Sequence, residues 1–289
     1  MTQQTSFRVG LIGAGIQLSK SPALHMQEGA AHGLDYLYEL VDVTARNLPD
    51  SALPDLLDEL EGRGFCGTNI THPFKQAVIP LLHELSDDAR MLGAVNTVVF
   101  QEGRRIGHNT DWYGFYENVA RGLPDVAKGR VLLAGAGGAG VAVAHAALKL
   151  GVGHLDIFDQ DRHRGEALAA ELNLRFGAER AFAVDDPAQS LPWADGFINA
   201  TPVGMLAHPG IPVEPALLEP RHWVADIVYV PLITELLATA AAKGCRTLPG
   251  GGMTVYQAVG AFRLFCGREP DAERMTRHFH ELCAVETPR

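Results

Sequence analysis

The glycine-rich segment 135–140 constrains the fold of this chain more than any other feature. It reads Gly-Ala-Gly-Gly-Ala-Gly, directly after the apolar run 131–134 and directly before a run of helical composition. In this G-x-G-x-x-G spacing, Gly135 permits a tight turn, Gly137 lets backbone N–H groups approach a pyrophosphate, and Gly140 lets helix and strand pack closely. The segment therefore predicts a strand, a loop and a helix whose N-terminus binds a dinucleotide. The alternative is a glycine-rich turn in a purely structural α/β unit.

An acidic residue stands where such a unit requires one. Asp159 lies 24 residues after Gly135, at the end of the next predicted strand, 155–158. A carboxylate there accepts hydrogen bonds from the ribose hydroxyls of NAD and would repel the 2′-phosphate of NADP. We therefore predict NAD as the cofactor. Arg164, five positions further on, could instead pair with a 2′-phosphate, and it could equally be a solvated helix residue.

A second glycine-rich segment, 13–18, resembles a dinucleotide loop but departs from its pattern. It follows the apolar run 7–13, and Asp42 ends a later predicted strand. Leu18 replaces the third glycine and would obstruct close packing of helix on strand. The residues Ser-Lys-Ser-Pro at 19–22 then interrupt the place where the helix should begin. We predict that this segment does not bind a dinucleotide.

Strand and helix signals alternate twice along the chain. Residues 7 to about 110 alternate between the two, and the pattern restarts after a helix predicted at 111–122. This pattern predicts an α/β fold of two domains, an N-terminal α/β substrate domain and a Rossmann-like dinucleotide-binding domain. We assign residues 1–111 plus 255–289 to substrate binding and catalysis, and residues 112–254 to NAD binding.

Three local features refine this prediction. A helix is expected at 53–61, because four leucines recur there on one helical face. Pro73 is expected to begin another helix, since proline fits the first helical position. The residues from Thr254 onward have mainly helical character, and these helices could pack on either half of the protein.

Composition argues against several classes of protein. The net charge of −10, without a Lys/Arg cluster, argues against a nucleic-acid partner. Four cysteines without a C-x-x-C pair, and histidines without an H-E-x-x-H motif, predict no metal site. The run 131–148 lacks Asp, Glu, Lys and Arg but is rich in glycine and alanine, so we expect a buried strand and helix and no membrane span. Because the polar N-terminus does not read as a signal peptide, we expect a cytoplasmic protein with reduced thiols. The oligomeric state is not readable from the sequence.

Polar side chains cluster in the N-terminal half, next to the ends of predicted strands. They lie in the segments 19–21, 69–75, 94–97 and 109–111. If all strands run parallel, these segments gather at one edge of the sheet, where open α/β sheets bind their ligands. Hydroxyl, amide, lysine and carboxylate groups at that edge suit a polyhydroxylated, anionic substrate.

From residue 19 to residue 257 the chain resembles the shikimate dehydrogenase family, which includes the quinate/shikimate dehydrogenases. The matching pieces follow the family's order. They are Ser19-Lys-Ser-Pro, Asn69-Ile-Thr-His-Pro-Phe-Lys, Gly93-Ala-Val-Asn-Thr, Asn109-Thr-Asp, Gly135-Ala-Gly-Gly-Ala, Asn199-Ala-Thr-Pro-Val-Gly-Met and Gly252-Met-Thr-Val-Tyr-Gln. Any one piece could arise by chance, whereas seven in order could hardly do so.

The resemblance implies roles for individual residues. Ser19 and Ser21 would hold a substrate carboxylate, and Lys75 and Asp111 would form the catalytic pair. The remaining substrate contacts would be Thr71, Asn96 and Gln257 to ring hydroxyls, with Tyr229 as a further one. The cofactor contacts would be Gly135, Ala136, Gly137, Gly138, Ala139, Asp159, Arg164, Thr201 and Gly250.

Lys75 suits the oxidation of a secondary alcohol, in which a hydride leaves carbon and a proton leaves oxygen. A lysine beside the hydroxyl relays the proton as a general base, or stabilises the developing alkoxide as an ammonium. The sequence leaves both roles open.

One departure from the family pattern concerns the cofactor. The NADP-dependent members carry Asn-Arg-Thr after the second strand of the cofactor unit, where this chain has Asp-Gln-Asp at 159–161. The difference favours the NAD-dependent quinate/shikimate branch, with hydride transfer between NAD and shikimate or quinate. The alternatives are an NADP-dependent biosynthetic enzyme, an enzyme acting on an amino-substituted shikimate, a non-catalytic sensor of NAD and a shikimate-like effector, and a structural α/β module.

Overall fold

The computed structural model describes residues 5–284, which divide into two compact units. One unit contains the described residues up to Thr110 together with those from Val255 onward, and the other is Asp111–Thr254. Asp111, assigned from the sequence to the first domain, thus begins the second unit. The outermost residues of the predicted substrate domain, 1–4 and 285–289, lie outside the described residues.

Both units combine helices with a six-stranded sheet, and this confirms the predicted α/β fold class. In chain order, the first part contains β1 (Ser6–Gly13), α1 (Ser21–Ala31), β2 (Asp35–Asp42), α2 (Leu53–Gly62), β3 (Gly67–Ile70), β4 (Glu84–Leu85), α3 (Asp87–Leu92), β5 (Thr97–Gln101) and β6 (Arg104–His108). The middle part contains α4 (Asp111–Gly122), β7 (Arg130–Ala134), α5 (Gly138–Lys149), β8 (His154–Phe158), α6 (Arg162–Phe176), β9 (Ala181–Ala183), α7 (Pro187–Ser190), β10 (Gly196–Asn199), β11 (Trp223–Asp226), α8 (Glu235–Ala242) and β12 (Arg246–Leu248). The last part contains α9 (Gly251–Cys266) and α10 (Ala272–Ala284).

The first sheet is mixed, so the assumption of parallel strands throughout was wrong. Its strand order is β2-β1-β3-β5-β6-β4, and β5 runs antiparallel to both β3 and β6. Two reversals restore the original direction, so β3 and β6 end at the same edge where β5 begins. Thr97 at the start of β5 accordingly pairs with Asn69 near the end of β3 and with His108 at the end of β6. The predicted polar segments therefore still meet at one edge.

The core of the first unit follows from the apolar pattern. The predicted leucine face is confirmed, since Leu53, Leu56, Leu57 and Leu60 of α2 are all buried. A second cluster joins the aromatic residues of β1 and β2 to Phe262 and Phe265 of α9. Only glycine fits at position 67 of β3, because a Cβ there would overlap the ring of Phe265. This packing assigns the end of α9 to the first sheet, a choice that the sequence left open.

The helix predicted to begin at Pro73 is absent, and this prediction was wrong. Residues 72–78 form a series of turns that leads to a short 3₁₀ helix, Ile79–Leu81. The backbone carbonyl of Lys75 accepts a hydrogen bond from the N–H of Val95 (2.8 Å), so it is paired with a distant segment instead of its own helix. Phe74 and Val78 are fully buried beneath these turns.

The second sheet is parallel throughout, with the order β12-β11-β10-β7-β8-β9. The chain order reverses between β7 and β10, and such switch points are where open α/β sheets bind ligands. The apolar run 131–148 forms the buried strand β7 and most of α5. Across residues 5–284, no helix has both the length and the apolar character needed to cross a bilayer.

Candidate active site

In the loop between β7 and α5, the glycines have the conformations and the spacing to neighbouring atoms that the sequence predicts. Gly135 has a positive φ of 100°, and a Cβ there would lie 2.7 Å from the carbonyl oxygen of Ala200. A Cβ on Gly140 would overlap the carbonyl oxygen of Gly135, so this glycine allows α5 to pack on the loop. Around Gly137 and Gly138 there is open space, with no atom within 4 Å of an added Cβ. The loop is therefore tight where it meets the protein and open where a pyrophosphate would approach.

The N-terminus of α5 faces this open space. Gly137 is its N-cap residue and has no side chain with which to cap the helix. The first backbone N–H groups of a helix need partners from outside the helix, and an anion supplies them. The residues present thus fit the pyrophosphate of a dinucleotide.

Asp159 lies directly beside the glycine loop. Its carboxylate accepts hydrogen bonds from the N–H groups of Ala136 (2.7 Å) and Asp161 (2.9 Å). These two bonds hold the carboxylate at the end of β8, where a ribose would lie. Arg164, in contrast, is 64% exposed in its side chain and pairs with Asp161, with 3.3 Å between Nε and Oδ2.

The two remaining predicted cofactor residues border the same loops. The hydroxyl of Thr201 donates to Oδ1 of Asn199 (2.7 Å), and its methyl group lies next to Gly135. Gly250 directly precedes α9, and a Cβ added to Gly250 would overlap the carbonyl oxygen of Ile227. Both residues lie at the carboxyl edge of the second sheet, Thr201 after β10 and Gly250 after β12.

Gly137→Ala tests the phosphate cradle. The backbone of Gly137 (φ −76°) suits alanine and the space around it is open, so the variant is expected to fold and melt as the parent protein does. The added methyl group would occupy the approach to the N–H groups, and we expect dinucleotide binding to weaken at least about tenfold. Calorimetric titration with NAD and NADP measures this.

The matched control is Gly62→Ala in α2, where an added Cβ also meets nothing within 4 Å. It should leave dinucleotide binding unchanged. Equal affinities of the Gly137→Ala variant and the parent protein would mean that this loop does not hold the pyrophosphate.

The first glycine segment has a different partner. Gly15 and Ile16 donate their N–H groups to the carboxylate of Asp42, at 2.9 and 3.0 Å. The backbone groups that would face a phosphate are therefore already bound to a carboxylate, and this supports the prediction that the segment does not bind a dinucleotide. Leu18 does not obstruct packing of a helix on the strand, as we predicted it would, because this residue is 83% exposed and α1 begins only at Ser21.

The predicted carboxylate-binding serines lie at the start of α1. The N–H of Ser21 donates to the hydroxyl oxygen of Ser19, at 3.3 Å. The phenol of Tyr38 on β2 donates to Oδ1 of Asn69 on β3 (2.8 Å). The amide of Asn69 in turn donates to the hydroxyl of Thr97 (2.9 Å). A chain of hydrogen bonds thus runs across the first sheet from β2 to β5.

Asn96 anchors the other end of this chain. Its Oδ1 accepts hydrogen bonds from the N–H of Thr110 (2.8 Å) and the hydroxyl of Thr97 (2.9 Å). Its amide donates to the hydroxyl of Thr110 (3.0 Å). Asn96 therefore fixes the backbone immediately before Asp111. This structural role is separate from its predicted contact with a ring hydroxyl of the substrate.

The other predicted substrate residues occupy defined places in the fold. Thr71 follows β3 and packs against Gly13. A Cβ added to Gly13 would overlap the methyl group of Thr71. Lys75 lies half-buried in the turns after β3, and Asp111 is the buried first residue of α4. The other two lie half-buried, Tyr229 after β11 and Gln257 in α9.

Sequence reasoning missed the roles of Tyr38 and Asp42. Neither lies in one of the matching motifs, and each acts through contacts that only the paired strands create. The available signal for Asp42 was its position at the end of β2, where it pairs with Gly13 at the end of β1; the contact of Tyr38 with Asn69 left no signal in the sequence.

The buried His25 is a structural residue. It packs against Tyr36, Tyr38, Phe262 and Phe265, and burial lowers its pKa to about 3. Among residues 5–284, no group of three or more His, Cys, Asp and Glu side chains could hold a metal ion.

A parallel sheet with an open glycine cradle in one unit, and a hydroxyl- and amide-rich sheet edge in the other, define a class of protein. They are the features of a two-domain dehydrogenase that uses a nicotinamide dinucleotide. Comparison with known proteins gives the family.

Residues 11–98 match the family model described as the shikimate dehydrogenase substrate binding domain. A shikimate dehydrogenase (NADP(+)) from Streptomyces avermitilis is 53% identical over 288 residues, with 99% of each chain covered. A quinate/shikimate dehydrogenase (NAD(+)) from Corynebacterium efficiens is 48% identical, with 96% of this chain and 99% of the relative covered. The solved structure of quinate dehydrogenase from Corynebacterium glutamicum in complex with NAD is 47% identical. It has a TM-score of 0.91 and covers 96% of this chain and 99% of that chain.

The chain belongs to the shikimate dehydrogenase family, and the resemblance inferred from its motifs is confirmed. A nicotinamide dinucleotide is therefore its cofactor.

Proposed function

We propose that this protein transfers a hydride between NAD and a ring carbon of shikimate or quinate, through a reversible oxidation of the secondary alcohol. The carboxylate of Asp159, held beside the glycine cradle by two backbone N–H groups, is the observation that carries the choice of NAD. Relatives named for NADP and for NAD have similar sequence identity to this chain, 53% and 48%. The choice between the cofactors therefore rests on this chain's own residues.

The substrate half supplies the groups that this reaction needs. The hydroxyls of Ser19 and Ser21 suit the substrate carboxylate, because hydrogen bonds to a charged acceptor are stronger than neutral ones. Thr71, Asn96, Gln257 and Tyr229 stay predictions for the remaining substrate contacts.

Lys75 and Asp111 are the proposed catalytic pair. A bound dinucleotide would supply the hydride acceptor for the oxidation and the hydride donor for the reverse reaction. Lys75 takes the hydroxyl proton as a general base, or stabilises the alkoxide as an ammonium ion. The family motifs pair it with Asp111, whose carboxylate is buried at the first residue of α4.

The test of cofactor choice is a set of initial rates for shikimate and quinate, each with NAD and with NADP. The parent protein is expected to prefer NAD. Asp159→Ser replaces the charged acceptor for the ribose by a shorter, neutral hydroxyl and removes the charge that repels a 2′-phosphate, so the preference should shift toward NADP by about tenfold or more. The ratio of kcat/KM for NADP to that for NAD measures this shift.

Arg164→Ala is the matched variant for the competing interpretation. If the parent protein prefers NADP and this variant loses that preference, Arg164 holds the 2′-phosphate and the assignment of Asp159 is wrong. The NADP-dependent relative at 53% identity makes this the second candidate function. Dinucleotide binding without turnover of either substrate would instead favour an amino-substituted substrate or a sensor.

A further inference from the structure

Asp42 is a buried carboxylate at the end of β2 that the proposed reaction does not use directly. It is 2% exposed and accepts five hydrogen bonds. The donors are the N–H groups of Gly15 (2.9 Å), Ile16 (3.0 Å), Thr44 (3.0 Å) and Ala45 (3.4 Å), and the side-chain amide of Gln17 (2.9 Å). Burial works to raise the pKa of Asp42, but the bonds from Gln17, Gly15, Ala45 and Ile16 outweigh it and lower this pKa below its usual value. The side chain is therefore an anion at neutral pH.

Three of the five donors belong to the loop that carries the predicted carboxylate-binding serines. Ile16 donates its N–H to Asp42, and its carbonyl accepts the N–H of Ser19 at 3.0 Å. The hydroxyl oxygen of Ser19 then accepts the N–H of Ser21, the first residue of α1. Two short steps thus connect the carboxylate to Ser19, and one more step leads to Ser21.

Within residues 15–18, apolar packing involves Ile16, which belongs to the cluster formed with β1, β2 and α9. Ile16 is buried, but Leu18 is 83% exposed and Gln17 is exposed as well. Gly15 adopts a positive φ of 66° with no atom within 4 Å of an added Cβ, so no side chain wedges the turn in place. Charge-assisted hydrogen bonds to a buried carboxylate are the stronger kind, and here they bind Gly15 and Gln17 as well as Ile16.

We propose that Asp42 is a positioning residue for substrate binding, which holds the 15–17 loop so that Ser19 and Ser21 present their hydroxyls to the substrate carboxylate. The inference rests on the proposed function, in which these serines bind that group. Asp42 does not itself contact the substrate, since an anion there would repel a carboxylate. Its effect passes through the backbone of the loop.

Asp42→Asn tests this role with nearly unchanged side-chain volume. An asparagine has one carbonyl oxygen in place of two charged acceptors, so some of the five donors lose their partner. We expect KM for shikimate and quinate to rise about tenfold, with kcat and KM for the dinucleotide within about twofold of the parent. The calorimetric Kd of shikimate should rise in parallel. Gln17→Ala removes one donor without touching the carboxylate and should raise the substrate KM by a smaller factor.

Asp156→Asn is the matched control. Asp156 is also a buried carboxylate, 3% exposed and bonded to Ser190 and His154, but it belongs to the second unit, whereas the serine loop belongs to the first. We expect Asp156→Asn to lower Tm about as much as Asp42→Asn does, without changing the substrate KM.

A double-mutant cycle with Ser19→Ala and Ser21→Ala decides whether Asp42 acts through the serines. In that background Asp42→Asn should raise KM no further. An undiminished effect there, or an unchanged KM in Asp42→Asn alone, would overturn the positioning role. Failure of the parent protein to bind or turn over either substrate would instead refute the proposed function, and the inference with it.

Discussion

Replacing Lys75 by alanine is expected to lower kcat for shikimate or quinate oxidation by about 10²- to 10⁴-fold, the usual contribution of a positioned general acid or base. The fold should survive, because Lys75 is only half-buried and its backbone hydrogen bond to Val95 does not depend on the side chain. Steady-state rates measured alongside a melting curve separate the two effects. A variant that keeps most of kcat would remove Lys75 from the mechanism.

Lys75→Arg distinguishes the two roles that the chemistry leaves open. Arginine keeps the positive charge but does not release a proton in proteins. If Lys75 acts as a base, the arginine variant should be about as slow as the alanine variant. If an ammonium stabilises the alkoxide, the arginine variant should recover part of the lost rate. Dinucleotide affinity serves as the internal control, since Lys75 lies outside the second unit.

The second large effect is expected in stability, at the ion pair between α1 and α10. Glu28 is 1% exposed and its carboxylate accepts bonds from Nε (2.8 Å) and Nη2 (2.6 Å) of Arg274. The N–H of Asp271 (2.7 Å) and the ring of His32 (3.0 Å) complete its surroundings. Because Arg274 is the only arginine or lysine among the described residues that is paired with Glu28, its loss would leave a buried carboxylate poorly compensated.

Arg274→Ala is expected to destabilise the first unit by about 3 kcal/mol, the lower part of the range for breaking a buried ion pair, because the arginine is partly exposed. For a unit of this size, that loss lowers the melting temperature by roughly 6–12 °C. Differential scanning calorimetry measures it.

Arg277→Ala is the control on the same helix. Arg277 is 65% exposed and lies 3.9 Å from the exposed Glu273, so its removal should cost almost nothing. The double variant Glu28→Gln, Arg274→Ala should recover stability relative to Arg274→Ala alone, since no buried charge remains. An equal loss in both arginine variants would show that the Glu28–Arg274 pair does not stabilise the protein.

Local sequence patterns predicted the geometry of the glycine-rich loop 135–140 well, because the constraints on that geometry are local. Gly135 and Gly140 face atoms of the same loop or of a neighbouring strand end, and the backbone alone decides that only glycine fits. The leucine face of α2 was predictable for the same reason, since one helix contains the whole pattern.

Predictions from local patterns were wrong where backbone groups form hydrogen bonds with distant segments of the chain. Pro73 fits the first position of a helix, yet the carbonyl of Lys75 pairs with Val95, and no helix forms. Leu18 looked like an obstruction, but the loop is held by Asp42, 24 residues further on. Neither pairing is visible in the sequence, because both depend on how the strands are ordered.

By itself the sequence determined the class of fold, the glycine-rich loop with a carboxylate beside it, and the residue types of the N-terminal half, because each depends on short spacings along one strand, loop or helix. Only the tertiary structure decided that β5 runs antiparallel, that α9 packs on the first sheet and α10 on α1, and that the carboxylate of Asp42 binds the 15–17 loop. These features bring together residues far apart in the chain. Their energies depend on burial and hydrogen-bond geometry, which exist only once the strands are paired.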